Sequence, residues 1–173
     1  MKKPFVLIVI FLCLLVFNSS CQQEPKVLSI SPCALTLPNN YFYQHEGLTF
    51  RRSGSYFNFD DPAEGEGWAY APVYLPNGAK VKKFVVYYTD NDDTEQATIT
   101  VSLSCHNHTS GDILTMASVT SAGLPSSPDR RILEGNAVDN AQVKNDLNSY
   151  FLGIVFEESF PTLIFHGAKV IYE

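Results

Sequence analysis

The residues that could carry out chemistry are concentrated between positions 60 and 74. This segment places carboxylates and aromatic rings close together, namely Asp60, Asp61, Glu64, Glu66, Trp68, Tyr70 and Tyr74. Aromatic rings with polar neighbours suit the recognition of a sugar ring, and carboxylates accept hydrogen bonds from its hydroxyls. Gly65 and Gly67 permit close approach of the backbone. The pattern predicts a ligand surface with a glycan as first candidate; the alternative is that Trp68 is a core aromatic at the start of a strand.

The acidic residues could also hold calcium, which takes roughly six to eight oxygen ligands. One cluster is the four carboxylates of the segment 60–74, and the other is Asp90, Asp92 and Asp93. Neither has the spacing of an EF-hand, and Asp also favours plain turns by bonding its own backbone. Ca²⁺ is therefore the one cofactor that the sequence suggests, with solvated turns as the alternative.

The run Cys105-His106-Asn107-His108 contains the residue types of a zinc site. Strand alternation, however, directs Cys105 to the face opposite His106 and His108, and the other histidines are scattered. We interpret these two as solvated side chains. The chain also lacks the nucleophile elbow, the metalloprotease helix motif, the phosphate loop and the Ser-Lys pattern. No catalytic residue can be named, and the sequence disfavours an enzyme.

The first 20 residues have the pattern of an export signal. Lys2 and Lys3 precede an unbroken apolar run of 13 residues at positions 5–17. This matches the roughly 7–15 apolar residues of a signal peptide, whereas a transmembrane helix needs about 20. We therefore expect a protein of the bacterial cell envelope or the extracellular space.

The end of this signal resembles the bacterial lipobox, because Ser19 and Ser20 directly precede Cys21. The resemblance implies lipidation at Cys21; the alternative is ordinary cleavage after a small residue. We expect residues 1–20 to be a signal peptide, residues 21–26 a tether and residues 27–173 one folded domain.

The charge balance limits the partners. Without Lys2 and Lys3, the chain keeps 10 basic against 18 acidic side chains, a net charge of about −8. Such a surface repels nucleic-acid phosphates and anionic lipids. We expect no nucleic-acid partner, and membrane contact only through the lipid anchor.

Two cysteines remain once Cys13 and Cys21 are assigned to the signal and the lipid site. In an oxidising compartment the pair Cys33 and Cys105 predicts a disulfide that closes a long loop. The alternative is two buried thiols that act as small apolar side chains.

After the signal, the sequence has the pattern of a β protein, in which short apolar runs alternate with clusters of the turn-forming residues Pro, Gly, Asn and Asp. The clearest strand is 97–105, where apolar residues alternate with Thr and Ser, which predicts one buried and one wet face. Further strands are predicted at 27–30, 41–44, 56–59, 68–74, 82–88, 113–120, 131–134, 150–156 and 163–172. Only 138–147 could hold a helical turn or two. The sequence predicts an all-β, single antiparallel β-sandwich of about eight strands, jelly-roll-like in topology.

Three strand and turn motifs carry a resemblance: Ala71-Pro72-Val73-Tyr74-Leu75-Pro76-Asn77-Gly78-Ala79, the residues 84–92, and the closing Gly167-Ala168-Lys169-Val170-Ile171-Tyr172. Over residues 68–173 the chain resembles uncharacterised secreted bacterial β-sandwich proteins. Since the motifs are those of strands and turns, the resemblance implies the fold and no functional residue.

Together these observations favour a non-catalytic lipoprotein of the cell envelope that binds a cell-surface partner, a glycan before a protein. The alternative is a structural or self-assembling surface subunit, which would form a homo-oligomer. A hydrolase is the third hypothesis. The exposure of Trp68 discriminates between a binding surface and a core position.

Overall fold

The computed structural model describes residues 24–37, 50–52, 56–59, 67–91, 97–136, 138–139, 141–157 and 162–173. These ranges contain ten strands: β1 Lys26–Ile30, β2 Phe50–Arg52, β3 Phe57–Phe59, β4 Gly67–Val73, β5 Val81–Asp90, β6 Thr98–Asn107, β7 Ile113–Thr120, β8 Ser127–Gly135, β9 Asn148–Glu157 and β10 Leu163–Tyr172. A 3-10 turn, Pro32–Ala34, follows β1. Nothing helical in these ranges has the length and apolarity that a membrane span requires.

The strands form two antiparallel sheets that pack face to face. The six-stranded sheet has the order β2-β3-β10-β5-β8, and β1 pairs with β10 off this path. The four-stranded sheet has the order β4-β9-β6-β7. The predicted all-β, jelly-roll-like antiparallel sandwich is confirmed, and β5 lies between β10 and β8.

The core lies between the inner faces of the two sheets. On β6 the predicted alternation is confirmed, because Ile99, Val101 and Leu103 are fully buried. Phe57 of the six-stranded sheet meets Phe156 of the four-stranded sheet across the core, with ring centroids 5.9 Å apart. Their contact is one of those that set the spacing of the two layers.

Two of the predicted secondary-structure elements, one strand and one helical region, are not found among the described residues. The predicted strand 41–44 lies outside the described residues. The described residues of 138–147, which could hold a helical turn or two, contain no helix, but one turn closes at the end, where the Lys144 carbonyl accepts the N–H groups of Leu147 at 3.1 Å and Asn148 at 2.9 Å. The residues before it bond elsewhere. Val143 donates its N–H to the carbonyl of Ala79 and accepts the N–H of Gly78, both at 2.8 Å. These long-range bonds occupy groups that a helix would use locally.

The predicted disulfide between Cys33 and Cys105 is also wrong. Cys33 lies exposed in the 3-10 turn and Cys105 lies buried on β6, and no bridge joins them. Thr36, close to Cys33, pairs with Tyr70 on β4, and β9 lies between β4 and β6. Three strand spacings amount to roughly 14 Å, far beyond the roughly 4.4–6.8 Å between the Cα atoms of a disulfide. Burial raises the pKa of the Cys105 thiol, which suits its role as a small apolar side chain.

Tyr88 offers a test of the core. Its side chain is completely buried, and its hydroxyl has no hydrogen-bond partner among the residues that the structure describes. A buried hydroxyl without a partner costs roughly 1–3 kcal/mol. Tyr88→Phe should therefore raise the free energy of unfolding by about 1 kcal/mol, measured by urea denaturation.

Tyr150→Phe is the matched control, because the Tyr150 hydroxyl accepts a hydrogen bond from the backbone N–H of Lys144 at 2.7 Å. Its removal should destabilise the protein by about 1 kcal/mol. A loss of stability in Tyr88→Phe would mean that this hydroxyl is bonded in the folded protein.

Candidate functional site

The aromatic residues singled out in the sequence lie along β4, an edge strand of the four-stranded sheet. Alternation turns Ala69, Ala71 and Val73 into the core. The intervening side chains face outward: Trp68, Tyr70, Pro72 and, directly after the strand, Tyr74. Trp68 is 38% exposed and Tyr74 is 82% exposed. The structure therefore places Trp68 on a surface, and the core alternative is wrong.

Strand register shows what lies beside this row. Trp68 pairs with Val155, and Tyr70 pairs with Gly153 on β9. Continuing across the sheet, Val155 and Gly153 pair with Thr100 and Ser102 of β6, which pair in turn with Thr120 and Ser118 of β7. Paired residues of antiparallel strands share a face. We call the surface formed by these residues, together with Pro72 and Phe151, the outer face. It carries aromatic rings at β4 and hydroxyl groups at β6 and β7.

Tyr70 is held by contacts on three sides. Its ring lies edge-on to Phe151, with centroids 5.9 Å apart. A Cβ atom at Gly153 would stand 3.6 Å from the Tyr70 ring, an ordinary contact distance, so the ring lies directly beside this glycine; the tight contact would be with Ser102 Oγ, at 3.2 Å. The Tyr70 backbone exchanges hydrogen bonds with Thr36 at 2.7 and 2.8 Å. Burial raises the pKa of the Tyr70 phenol, so the hydroxyl stays protonated at neutral pH.

The polar side of the outer face is almost free of charge. The Thr100 hydroxyl donates to the Thr120 hydroxyl at 3.0 Å. At one end of the face, the Thr98 hydroxyl donates to a Glu157 carboxylate oxygen at 2.7 Å. Within the described part of the face, Glu157 supplies the one carboxylate.

A cleft of about 630 Å³ opens at the other end of the outer face. We name it the Tyr74 cleft, after the residues that line it: Pro72, Val73, Tyr74, Leu75, Pro76, His108, Asn145, Asn148, Ser149 and Tyr150. Pro72 belongs both to the row of outward side chains on β4, from Trp68 to Tyr74, and to the lining of the cleft. The two features are therefore continuous.

The predicted site residues have three outcomes. Trp68, Tyr70 and Tyr74 lie together on one exposed row. Asp60, Asp61, Glu64 and Glu66 lie outside the described residues, as do Asp92 and Asp93, so the calcium site stays a prediction. Asp90 is described and buried. Phe151 and the hydroxyl groups of the outer face were missed, although the wet face of β6 was predicted.

The two histidines of the candidate zinc motif lie near each other at the end of β6, with ring centroids 6.1 Å apart. Cys105, which points to the opposite face of β6, is buried. Across the described ranges, no three His, Cys, Asp or Glu side chains come together in a way that could hold a metal ion.

Comparison with known proteins supports the fold. No protein-family model matches the chain, and no curated protein matches it. Among solved structures, the CBM22-1 and GH10 modules of endo-1,4-beta-D-xylanase 10B from Clostridium thermocellum, complexed with xylohexaose, match with a TM-score of 0.52 and 12% identity, over 86% of this chain and 28% of that chain. The xylan-binding module CBM15 matches with a TM-score of 0.51 and 12% identity, over 86% of this chain and 97% of that chain. At this identity, the likeness establishes the β-sandwich fold.

Proposed function

We propose that this protein is a non-catalytic β-sandwich that binds a glycan along the outer face of its four-stranded sheet. The observation that carries the proposal is the exposed aromatic row from Trp68 to Tyr74 beside a set of neutral hydroxyls. Six residue-to-residue steps of extended chain lead from Trp68 to Tyr74, a length of roughly 20 Å. This length accommodates several sugar units rather than one.

The chemistry of the face suits a saccharide. Aromatic rings such as Trp68 and Tyr70 supply large apolar surfaces on which the C–H faces of sugar rings can stack. The hydroxyls of Thr100, Ser102 and Ser118 can both donate and accept hydrogen bonds. A sugar ring presents the same combination of an apolar face and a polar rim. The two structural neighbours, one named as xylan-binding and one complexed with xylohexaose, support this ligand class.

The same face is poorly equipped for hydrolysis. Most glycosidases use two carboxyl groups, separated by roughly 5–9.5 Å, on either side of the scissile bond. Within the described residues of the outer face, Glu157 is the one carboxylate, and it accepts a hydrogen bond from Thr98. This arrangement favours binding without turnover.

Retention on polysaccharides tests the proposal. The protein without residues 1–20 should bind at least one neutral polysaccharide in affinity electrophoresis and should release no reducing sugar from it. Ile132→Ala is the control, because Ile132 is exposed on the six-stranded sheet and should not contribute. Failure to bind any member of a broad polysaccharide panel, or release of reducing sugar, would overturn the proposal.

We also propose that the protein is exported and anchored by a lipid at Cys21, on the strength of the signal pattern. Residues 1–23 lie outside the described part of the chain, and β1 begins at Lys26. A short tether would therefore hold the sandwich close to a membrane surface. Several acyl chains give the stable anchoring that one chain does not.

Mass spectrometry of the mature protein checks the anchor. We expect an N-terminal Cys21 whose mass includes covalent lipid, and Cys21→Ala should leave the membrane fraction. An unmodified N-terminus at another residue would contradict lipidation and leave ordinary cleavage. The glycan-binding proposal would be unaffected.

A further inference from the structure

The Tyr74 cleft has an architecture that the outer face does not explain. Tyr74 is 82% exposed, which is unusual for so large an aromatic side chain in a folded domain. The flanking Pro72 and Pro76 restrict the backbone on either side of it. The Tyr74 ring is therefore presented to solvent from a chain segment with little freedom, which reduces the entropy lost when a ligand binds.

The far part of the cleft is fixed by hydrogen bonds between two turns. The Asn145 backbone N–H donates to Asn77 Oδ1 at 2.9 Å, and the Asn145 side-chain amide donates to the carbonyl of Leu75 at 2.9 Å. Gly78 provides the left-handed residue of the first turn, with φ of 80°. These bonds join the segment after β4 to the segment before β9. The cleft is thus formed before any ligand arrives.

The described lining of the cleft includes uncharged hydroxyl and amide groups, those of Tyr150, Ser149, Asn145 and Asn148. Because the Tyr150 hydroxyl accepts the N–H of Lys144, its own proton can be donated elsewhere. The Ser149 side chain is exposed, and it pairs in register with His106 on the outward side of the sheet. Donors and acceptors therefore converge beside the aromatic ring of Tyr74.

Charge is the feature that selects the occupant. Among the ten lining residues that the structure describes, none is Asp, Glu, Lys or Arg, although the chain without residues 1–20 carries 10 basic and 18 acidic side chains. An anionic group placed there would lose hydration without meeting a lysine or arginine among these residues, and the net negative charge of the protein would repel it. The lining favours a neutral ligand.

We propose that the Tyr74 cleft binds a neutral sugar residue of the same glycan that lies on the outer face, and so selects neutral glycan chains over uronate-containing or sulfated ones. This inference rests on the proposed function. The cleft volume of about 630 Å³ falls in the range of roughly 300–1,000 Å³ that is typical of small-ligand sites. Pro72, shared by the cleft and the row, allows one chain to occupy both.

The dependence of affinity on chain length tests the inference. In calorimetry with xylobiose through xylohexaose and the matching cello-oligosaccharides, the affinity of the wild-type protein should rise with length. Tyr74→Ala should lose about tenfold in affinity for the longest chain that the wild type binds, and the rise with length should flatten. Tyr74→Phe, which keeps the ring, should restore most of the loss. Ile132→Ala should match the wild type at every length.

Binding of polygalacturonate, an anionic polysaccharide, at high salt distinguishes selection by the cleft lining from repulsion by the net charge of the protein. At about 1 M salt the screening length falls to about 3 Å, so the net charge of the protein no longer excludes the polymer. Binding should remain at least tenfold weaker than binding to a neutral polysaccharide. Equal affinity for the two polymers would overturn the inference.

Glycan binding by the protein and selection by the Tyr74 cleft can fail separately. A wild-type protein that binds no glycan of any length overturns the proposed function and this inference together. A wild-type protein that binds glycans, with Tyr74→Ala retaining the full rise of affinity with length, overturns this inference alone.

Discussion

Trp68→Ala should abolish detectable glycan binding while lowering the free energy of unfolding by about 1 kcal/mol, as substitutions outside the core usually do. The side chain lies on the outer face of β4 and is 38% exposed, so its removal opens no core cavity. Truncating an aromatic residue that is a hot spot of a binding surface typically costs 2 kcal/mol or more, which is about thirtyfold in affinity. Affinity electrophoresis and urea denaturation measure the two effects on the same sample.

Trp68→Phe provides the matched variant, because it keeps an aromatic face of smaller area. It should retain part of the affinity and nearly all of the stability. If Trp68→Ala instead destabilised the protein by roughly 3–5 kcal/mol, Trp68 would be a packing residue. The structural-subunit hypothesis would then replace glycan binding.

Phe156→Ala should have the largest effect on stability, a loss of roughly 3–5 kcal/mol in the free energy of unfolding. Phe156 is completely buried on β9, and its ring contacts Phe57 of the opposite sheet at 5.9 Å. Its removal would leave a cavity between the two layers, and a close-packed core refills such a space only in part. Chemical denaturation followed by tryptophan fluorescence measures the loss.

Val155→Ala, one residue earlier on the same strand, is the control for this prediction. Val155 faces outward and is half-buried, so the loss should be about 1 kcal/mol. Equal losses in the two variants would mean that β9 does not bury the face assigned to it here. The pairing of Trp68 with Val155 would then be in doubt as well.

Much of the fold could be predicted because the pattern that carries it is local. The alternation along β6 sets its inward and outward faces without reference to any partner, and every predicted apolar position from 97 to 105 is buried. On the predicted wet face, Thr100 and Ser102 are half-buried, whereas Thr98 and Ser104 are buried. The turn at Gly78 follows from the chemistry of a few adjacent residues. The strands and the class of fold therefore follow from nearest-neighbour chemistry.

The errors arose where long-range pairing decides the outcome. The segment containing Val143 has little intrinsic preference, and its hydrogen bonds to Gly78 and Ala79 decide its conformation. The separation of Cys33 from Cys105 depends on the order of strands in a sheet, which the spacing of two cysteines does not encode. Neither outcome has a local signal.

The proposed binding surface was predicted only in part for a related reason. Whether Trp68 is buried depends on β4 being an edge strand with one open face. Phe151 was missed because residues 150–156 form a continuous apolar run, which usually indicates a strand buried on both faces. In the structure, Phe151 and Val155 are only half-buried. An apolar strand face of this kind, adjacent to an exposed aromatic row, is the signal of a binding surface.

The bridge between Thr36 and Tyr70 has a consequence for the solubility of the protein. An open edge strand invites another chain to add to the sheet, which is a route to aggregation. On β4 the outward N–H and C=O of Tyr70 are both occupied by Thr36. Pro72, the next position of the same parity, has no N–H to offer. The edge that presents the aromatic row is therefore closed to strand addition over these positions, which removes one route by which copies of the chain could aggregate.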